Sequence, residues 1–152
     1  MQAFPHQLRL ARMLSEGQLL SFAARYTAAW CSQNAASVAA FYSPRGSLTI
    51  NGGPPAVGRD AITTAAQEVM TAFPDLTVVM DGLDVEGHAA GADRAVYRWT
   101  LDGTNTGPGG TGARVHITGF EEWRIGADGL IAESQGHFDG ADYQRQLARS
   151  SG

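Results

Sequence analysis

The sequence contains no lysine and a single cysteine, and only 17% of its 152 residues are charged. Nucleic-acid-binding surfaces need clustered basic side chains, whereas the 11 basic residues here, all arginines, are scattered along a chain of net charge −4. We therefore expect no nucleic-acid partner. One cysteine, Cys31, can form neither an internal disulfide nor a cysteine-based zinc site. Because Cys31 ends a helical apolar stripe, we expect it to be a small core residue.

Long apolar stretches are also lacking. No window approaches the roughly eighteen uninterrupted apolar residues of a membrane helix, and residues 1–14 mix arginine and histidine with apolar side chains, unlike a signal peptide. We expect a soluble cytoplasmic protein without a membrane partner. The length suits one domain, which we place at 16–149 after an N-terminal extension at 1–15.

Helical periodicity dominates the first half of the chain. Apolar residues recur at steps of three and four over 16–31, which predicts an amphipathic helix with an aromatic inner face. A short second helix is expected from a cap at Asn34 through Tyr42, and a third over 59–72. The inner face of the first helix consists of Leu19, Phe22, Ala23, Tyr26 and Trp30.

After Pro74 the periodicity changes to two, which predicts strands. A short strand at 47–51 precedes them, and a final helix is expected at 142–149. Helices followed by an antiparallel meander predict an α+β domain in which helices cover one face of a curved sheet. The four predicted strands are 77–86, 94–103, 114–125 and 130–138.

The strand 114–125 carries one carboxylate in an otherwise apolar row. Successive strand side chains point to opposite faces, so Glu121 shares its face with Val115, Ile117, Trp123 and Ile125. Burying an ionised carboxylate costs several kcal/mol unless it is paired, hydrogen-bonded or protonated. A raised carboxylate pKa is how proteins obtain acids and bases that work near neutrality. Taken alone, a buried carboxylate such as Glu121 is more often a structural group with satisfied hydrogen bonds than a catalyst.

The turn after this strand sets which polar residues accompany Glu121. Ala127-Asp128-Gly129 fits a three-residue hairpin loop, and a continuous ladder from it pairs Glu121 with Gln135 and Gly119 with His137. His137 and Asp139 would then share the face of Glu121. A two-residue or four-residue loop would send both to the other face.

Two aromatic residues of the preceding strand are expected to face the helices. Tyr97 and Trp99 would supply a hydroxyl donor, an indole N–H and flat surface for a ring-shaped ligand, or would simply pack in the core. Arg98 lies on the opposite strand face. No tight His-x-His or His-x-x-Glu spacing is present, so we expect no metal site.

Five segments together resemble, in order and spacing, the SnoaL-like polyketide cyclase family of the nuclear transport factor two-like superfamily. The resemblance covers about residues 17–147. It implies a cone-shaped α+β barrel, in which a curved, mostly antiparallel sheet wraps around the N-terminal helices and encloses an apolar pocket, and a homodimer formed through the sheet. The segments are Phe41-Tyr42-Ser43-Pro44, Gly58-Arg59-Asp60-Ala61-Ile62, Ala72-Phe73-Pro74-Asp75-Leu76, Arg98-Trp99-Thr100-Leu101-Asp102-Gly103-Thr104-Asn105-Thr106-Gly107 and Asp128-Gly129-Leu130-Ile131-Ala132-Glu133.

The resemblance also implies a reaction type. Cyclases of this family look like cofactor-free catalysts in which a carboxylate removes a proton alpha to a carbonyl and a pocket donor stabilises the oxyanion. By position, Asp139 matches the family carboxylate after the last strand, and Glu121 stands where members often have Asp. Trp30, Asn51 and Trp99 match pocket-lining positions. The last strand departs from the family, because Glu133-Ser134-Gln135-Gly136-His137-Phe138 replaces the usual Glu-His-Trp or Glu-Glu-Trp.

Our leading hypothesis is a cofactor-independent acid/base enzyme that cyclises, isomerises or dehydrates a polyketide-like or polycyclic ketone. Asp139 or Glu121 is the expected base, and His137 or Tyr97 the donor. An epoxide hydrolase is the alternative enzyme, but it would need Arg98 or Arg124 to turn inward; a non-catalytic binding protein is the other alternative. The expected substrate-binding residues, for a hydrophobic small molecule, are Tyr26, Trp30, Asn51, Tyr97, Trp99 and Gln135.

Overall fold

The computed structural model describes residues 15–88 and 91–149, which form four helices and six strands. Of the expected N-terminal extension, only Ser15 falls within this part of the chain. The elements, in chain order, are α1 (Glu16–Cys31), α2 (Ala35–Ala39), β1 (Tyr42–Ile50), β2 (Ala56–Val57), α3 (Arg59–Ala72), β3 (Thr77–His88), β4 (Gly91–Thr104), β5 (Arg114–Ile125), β6 (Ile131–Phe138) and α4 (Gly140–Ala148).

The strands form one curved, unclosed sheet in the order β2-β1-β6-β5-β4-β3. All neighbours are antiparallel except β1 and β6, which run parallel. The predicted α+β architecture is confirmed, with helices packed against the apolar face of a mostly antiparallel sheet. Each helix that the structure describes is too short or too polar to cross a membrane.

Helix α1 begins at a capping box and buries its aromatic face against the sheet. The Ser15 hydroxyl accepts from the Gln18 backbone N–H, and the Gln18 side chain accepts from the Ser15 N–H. The Tyr26 ring contacts those of Tyr97 and Trp123 edge to face, with centroids 5.4 and 5.2 Å away. The predicted inner face of this helix is confirmed.

Two expectations about the N-terminal half are wrong. Cys31 is exposed, because α1 ends beside the edge strand β3, where its thiol donates to the carbonyl oxygen of Val78 at 3.3 Å. The second helix stops at Ala39, and Tyr42 already belongs to β1. Pro44 disfavours helical backbone in the residue before it, and the buried Tyr42 is opposite Ile131 in the sheet.

The β5–β6 hairpin has the predicted turn but not the predicted register. Gly126 N–H donates to the Leu130 carbonyl at 2.8 Å, and Gly129 occupies the left-handed region at φ 77°, as a three-residue loop requires. A β-bulge follows immediately, so that Glu121 pairs with Gly136. The expected pairings of Glu121 with Gln135 and of Gly119 with His137 are therefore wrong.

The bulge follows from the chemistry of β6. Ile125 pairs with Ile131 but Arg124 pairs with Glu133, which leaves Ala132 as the extra residue. An unbroken ladder would turn Glu133, Gln135 and His137 toward the apolar face, and desolvating a charge there is costly. The one-residue shift instead buries Ser134 and Gly136.

Candidate functional site

A cavity of about 330 Å³ lies between the apolar face of the sheet, α3 and α4. Its wall is largely aromatic and aliphatic, and two carboxylates border it: Glu121 within the wall and the exposed Glu68. The aromatic residues of the wall are Trp30, Phe73, Tyr97, Trp99, Phe138 and Tyr143.

Glu121 is 7% exposed and is held by one of its two carboxylate oxygens. Oε1 accepts three hydrogen bonds, from the Tyr26 hydroxyl at 2.9 Å, Trp123 Nε1 at 2.8 Å and the Ser134 hydroxyl at 2.8 Å. Oε2 makes no hydrogen bond to any residue that the structure describes. The anchored oxygen fixes the carboxylate, and Oε2 is left as the oxygen that can meet a molecule in the cavity.

Burial raises the pKa of Glu121, because the charged carboxylate is removed from water. The three hydrogen bonds from Trp123, Ser134 and Tyr26 act in the opposite direction, since they favour the charged form. The net pKa lies above that of an ordinary glutamate. Such a group exchanges protons closer to neutral pH than a solvated carboxylate does.

The raised pKa of Glu121 makes stability depend on pH. Between the unfolded-state pKa of glutamate, about 4.3, and the higher folded-state pKa, the folded protein holds a proton that the unfolded chain has released. The Glu121 contribution to the free energy of unfolding should therefore fall as pH rises through this window. Urea unfolding of wild type and Glu121→Gln at pH values between the two pKa values measures this contribution as the difference between their free energies of unfolding. If wild type instead gains stability relative to Glu121→Gln as the pH rises, the assignment is contradicted.

Tyr26 and Tyr42 form a second layer behind the carboxylate. Tyr26 donates its proton to Glu121, so Tyr42 is the donor in the 2.9 Å contact between the two hydroxyls. Burial and the nearby Glu121 carboxylate raise the pKa of both phenols well above normal, so they remain protonated donors. The structure places Tyr26 behind Glu121 rather than in the cavity wall, which differs from its expected contact with substrate.

Tyr97 lines the cavity with its ring, while its hydroxyl is engaged elsewhere. The ring stacks on Trp123, with centroids 4.9 Å apart and planes inclined by 13°. The phenol lies 2.5 Å from Thr27 Oγ1, whose own proton goes to the Ala23 carbonyl, so Tyr97 is the donor to Thr27. Its predicted donor function toward a ligand would require this bond to break.

Asp139, the other predicted base, lies outside the cavity wall. It is exposed and is the N-cap of α4, where Oδ1 accepts from the Asp142 N–H at 3.0 Å. This N-cap bond occupies one of the two Asp139 carboxylate oxygens. Of the two expected bases, only Glu121 borders the cavity.

Asp139→Ala should therefore lower the free energy of unfolding by about 1 kcal/mol, the usual value of an N-cap. Asp139→Asn, which retains an accepting oxygen, should be nearly neutral. Neither change should alter proton abstraction from a ketone bound in the cavity. Urea unfolding and an exchange assay measure the two effects, and a large loss of exchange in the stable Asn variant would return Asp139 to the site.

The remaining polar residues expected at the site make other contacts. Asn51 directly follows β1, and its Oδ1 accepts from the Phe138 N–H at 3.0 Å, which joins the end of β1 to β6. Gln135 pairs with Glu122, on the sheet face opposite Glu121, and donates to Glu133 at 3.1 Å. His137 borders the cavity, but its imidazole lies 3.0 Å from a Glu122 oxygen and stacks on Phe120 on the outer face. These three side chains do not join Glu121.

Arg98 and Arg124 lie on the sheet face opposite Glu121, as strand alternation predicts. Arg98 forms an ion pair with Asp84, and Arg124 lies 3.7 Å from Glu133 Oε1. Within residues 15–88 and 91–149, no arginine lines the cavity. The same residues contain no cluster of three His, Cys, Asp or Glu side chains able to hold a metal ion.

The donor function of two residues was missed by the sequence analysis. Ser134 and Trp123 both donate to Glu121, yet an unbroken ladder places Ser134 on the other face, and Trp123 lies in an otherwise apolar row. The sequence feature that indicates the bulge is the row Glu133, Gln135 and His137, which is too polar to be buried. A bulge that turned this row outward would have placed Ser134 beside Trp123.

Comparison with known proteins gives a family and a fold. Residues 23–134 match the model of the SnoaL-like domain. No curated protein sequence matches the chain.

Among solved structures, TsrD from Streptomyces laurentii is 22% identical, with a TM-score of 0.74 over 89% of this chain and 98% of that chain. A protein from Catenulispora acidiphila with a ketosteroid isomerase-like fold, in complex with trimethylamine, is 14% identical, with a TM-score of 0.71 over 83% and 91%. SalBIII, an epoxide hydrolase/cyclase-like enzyme in pyran ring formation in the polyether salinomycin, is 16% identical, with a TM-score of 0.70 over 84% and 95%. At these identities the likeness shows the fold alone.

Proposed function

Because the chain belongs to the SnoaL-like family, we propose that it is a cofactor-independent acid/base enzyme acting on a polyketide-like or polycyclic ketone, with Glu121 as the base. The observation that carries this proposal is the arrangement of the Glu121 carboxylate. One oxygen is fixed by three donors, the other borders an apolar cavity, and burial raises the pKa. Fixed position, access to the substrate and a pKa raised toward neutrality are the properties that a general base needs.

The proposed reaction begins with a proton transfer. Glu121 Oε2 takes a proton from the carbon alpha to a carbonyl, and the C–H electron pair forms the enolate while the carbonyl π pair moves to oxygen. The enolate carbon then attacks a second carbonyl, or is protonated at another position, and the Glu121 carboxylic acid returns the proton. Aldol cyclisation, isomerisation and dehydration share this first step.

The cavity supports a compact, uncharged substrate. Ligand pockets commonly span about 300–1,000 Å³, so a volume of about 330 Å³ fits one or two fused rings better than four. None of the described arginines lines the wall, and both carboxylates there would repel an anion. Ring stacking on the aromatic side chains supplies the main attraction.

An epoxide hydrolase mechanism is less well supported. It requires two carboxylates and an arginine around one water, whereas Arg98 and Arg124 are engaged on the outer face. Asp139 caps α4, and the second carboxylate bordering the cavity is the exposed Glu68. SalBIII, described as an epoxide hydrolase/cyclase-like enzyme, shares the fold, and the shared fold does not distinguish the two mechanisms.

Deuterium exchange tests the first step without the natural substrate. β-Tetralone is a two-ring ketone with acidic α-protons, and its binding can be followed by tryptophan fluorescence. In D₂O, saturated wild-type protein should accelerate loss of the α-proton NMR signal well above the rate in buffer. If saturated wild-type protein exchanges these protons no faster than the Glu121→Gln variant, Glu121 is not a base and the protein is better described as a binding domain.

A further inference from the structure

One buried hydrogen-bond donor in the cavity wall has no partner. Trp99 Nε1 is the only side-chain nitrogen or oxygen atom, among the residues that the structure describes, that is itself fully buried and lacks a hydrogen bond. Buried polar groups are paired in the great majority of cases, and an orphaned donor carries a free-energy penalty. Because Trp99 lines the same cavity as Glu121, a molecule in that cavity is the natural source of an acceptor.

The sheet register places this indole close to the proposed base. Tyr97 pairs with Glu121 and Trp99 pairs with Gly119, so Trp99 and Glu121 are diagonal neighbours on one face of β4 and β5. Diagonal neighbours lie about 7–8 Å apart and are within reach of long and aromatic side chains. This separation suits a carboxylate that contacts the α-hydrogen of a ketone and an indole N–H that contacts the carbonyl oxygen of the same ketone.

The indole is held in place by the residues around it. A Cβ at Gly119 would lie 2.5 Å from Trp99 Cζ2 and 2.4 Å from the His137 carbonyl oxygen, so only glycine leaves room for the ring. The Phe138 ring packs against it at 6.2 Å with an interplanar angle of 62°. These contacts leave Nε1 without access to solvent, so a ligand reaches the N–H through a small shift of the cavity wall.

Other donors near Glu121 are already committed. Tyr26, Trp123 and Ser134 donate to Glu121 Oε1, and the Tyr97 phenol donates to Thr27. The Trp99 N–H is therefore the buried donor still available on this part of the wall.

We propose that the Trp99 indole N–H binds the carbonyl oxygen of the ligand and stabilises the negative charge that forms there. The catalytic part rests on the proposed function: as Glu121 takes the α-proton, the carbonyl oxygen becomes the enolate oxygen and accepts a stronger hydrogen bond from Trp99. The binding part is independent of it. A ligand with an oxygen at this point is selected over a hydrocarbon of the same shape.

A pair of test ligands separates the hydrogen bond from ring stacking. β-Tetralone and tetralin have the same two-ring frame, and only the ketone has an acceptor. Titrations with wild type, Trp99→Phe and Trp30→Phe measure the ratio of the ketone affinity to the hydrocarbon affinity. Trp99→Phe should reduce this ratio by about fivefold, whereas Trp30→Phe, which removes another indole of the cavity, should leave it unchanged.

The indole N–H resonances give a second measurement that needs no variant to fold well. The chain has three tryptophans, and the Trp99 signal should move downfield with β-tetralone but not with tetralin. An equal affinity ratio in wild type and Trp99→Phe, or equal shifts with both ligands, would overturn the proposal. So would a wild-type protein that shows no preference for the ketone.

The same samples distinguish the failure of this proposal from that of the proposed function. If the ketone moves the Trp99 resonance but its α-protons do not exchange, the donor assignment stands and the base assignment fails. If exchange is accelerated equally by wild type and Trp99→Phe, the base stands and the donor fails. When both hold, loss of the donor should slow exchange by about 100-fold without moving the pH profile set by Glu121.

Discussion

Replacing Glu121 by glutamine is expected to slow α-proton exchange of bound β-tetralone by about 100- to 10,000-fold, the range usually contributed by a general base. Glutamine keeps a carbonyl oxygen that can accept from Tyr26, Trp123 and Ser134, so the local fold should persist. It replaces the ionisable Oε2 with an amide that cannot take a proton. The loss should therefore appear in the rate constant for exchange and not in the affinity for the ketone.

Glu122 offers a matched control for this experiment. It is the next residue on β5, but its side chain lies on the outer face beside His137. Glu122→Gln makes the same chemical change at the opposite face and should leave exchange within about twofold of wild type. Equal exchange rates in the two variants would mean that the carboxylate bordering the cavity is not the base.

Glu121→Leu is expected to lower the free energy of unfolding by about 3 kcal/mol or more, even though leucine is apolar and similar in size. The change removes the acceptor of three buried donors, and each donor left without a partner costs about 1–3 kcal/mol. Relief of the buried carboxylate offsets part of this cost. Urea unfolding at neutral pH measures the difference.

The glutamine variant provides the comparison for this stability measurement. Because it retains an acceptor, its free energy of unfolding should stay within about 1 kcal/mol of wild type. If Leu and Gln destabilise the protein equally, the donors around Oε1 contribute little and the site is not built around the carboxylate. If neither variant is destabilised, the hydrogen bonds to Glu121 Oε1 are absent in solution.

Most of the fold was predictable because it depends on periodicity. Helices α1 and α3 and strand β5 have the predicted bounds, since each is set by a regular apolar pattern between clear breakers. The parallel pairing of β1 with β6 was not predicted, because it joins segments far apart in the chain. No local pattern carries that information.

The site was harder to predict because its geometry depends on one extra residue. The turn at 127–129 was correct, and so was the burial of Glu121, yet the bulge at Ala132 reversed the faces of the residues beyond it. That reversal removed Gln135 and His137 from the site and introduced Ser134. Side-chain alternation has a period of two, so a single inserted residue changes every later assignment.

The most direct test of a raised pKa at Glu121 is a pH titration of the Trp123 indole N–H resonance. Trp123 Nε1 donates to Glu121 Oε1 at 2.8 Å, so its chemical shift should report the protonation of that carboxylate. We predict a single transition with a midpoint above the value of about 4.3 for a free glutamate, and its disappearance in Glu121→Gln. A midpoint at or below that of a free glutamate would contradict the assignment of Glu121 as a buried base.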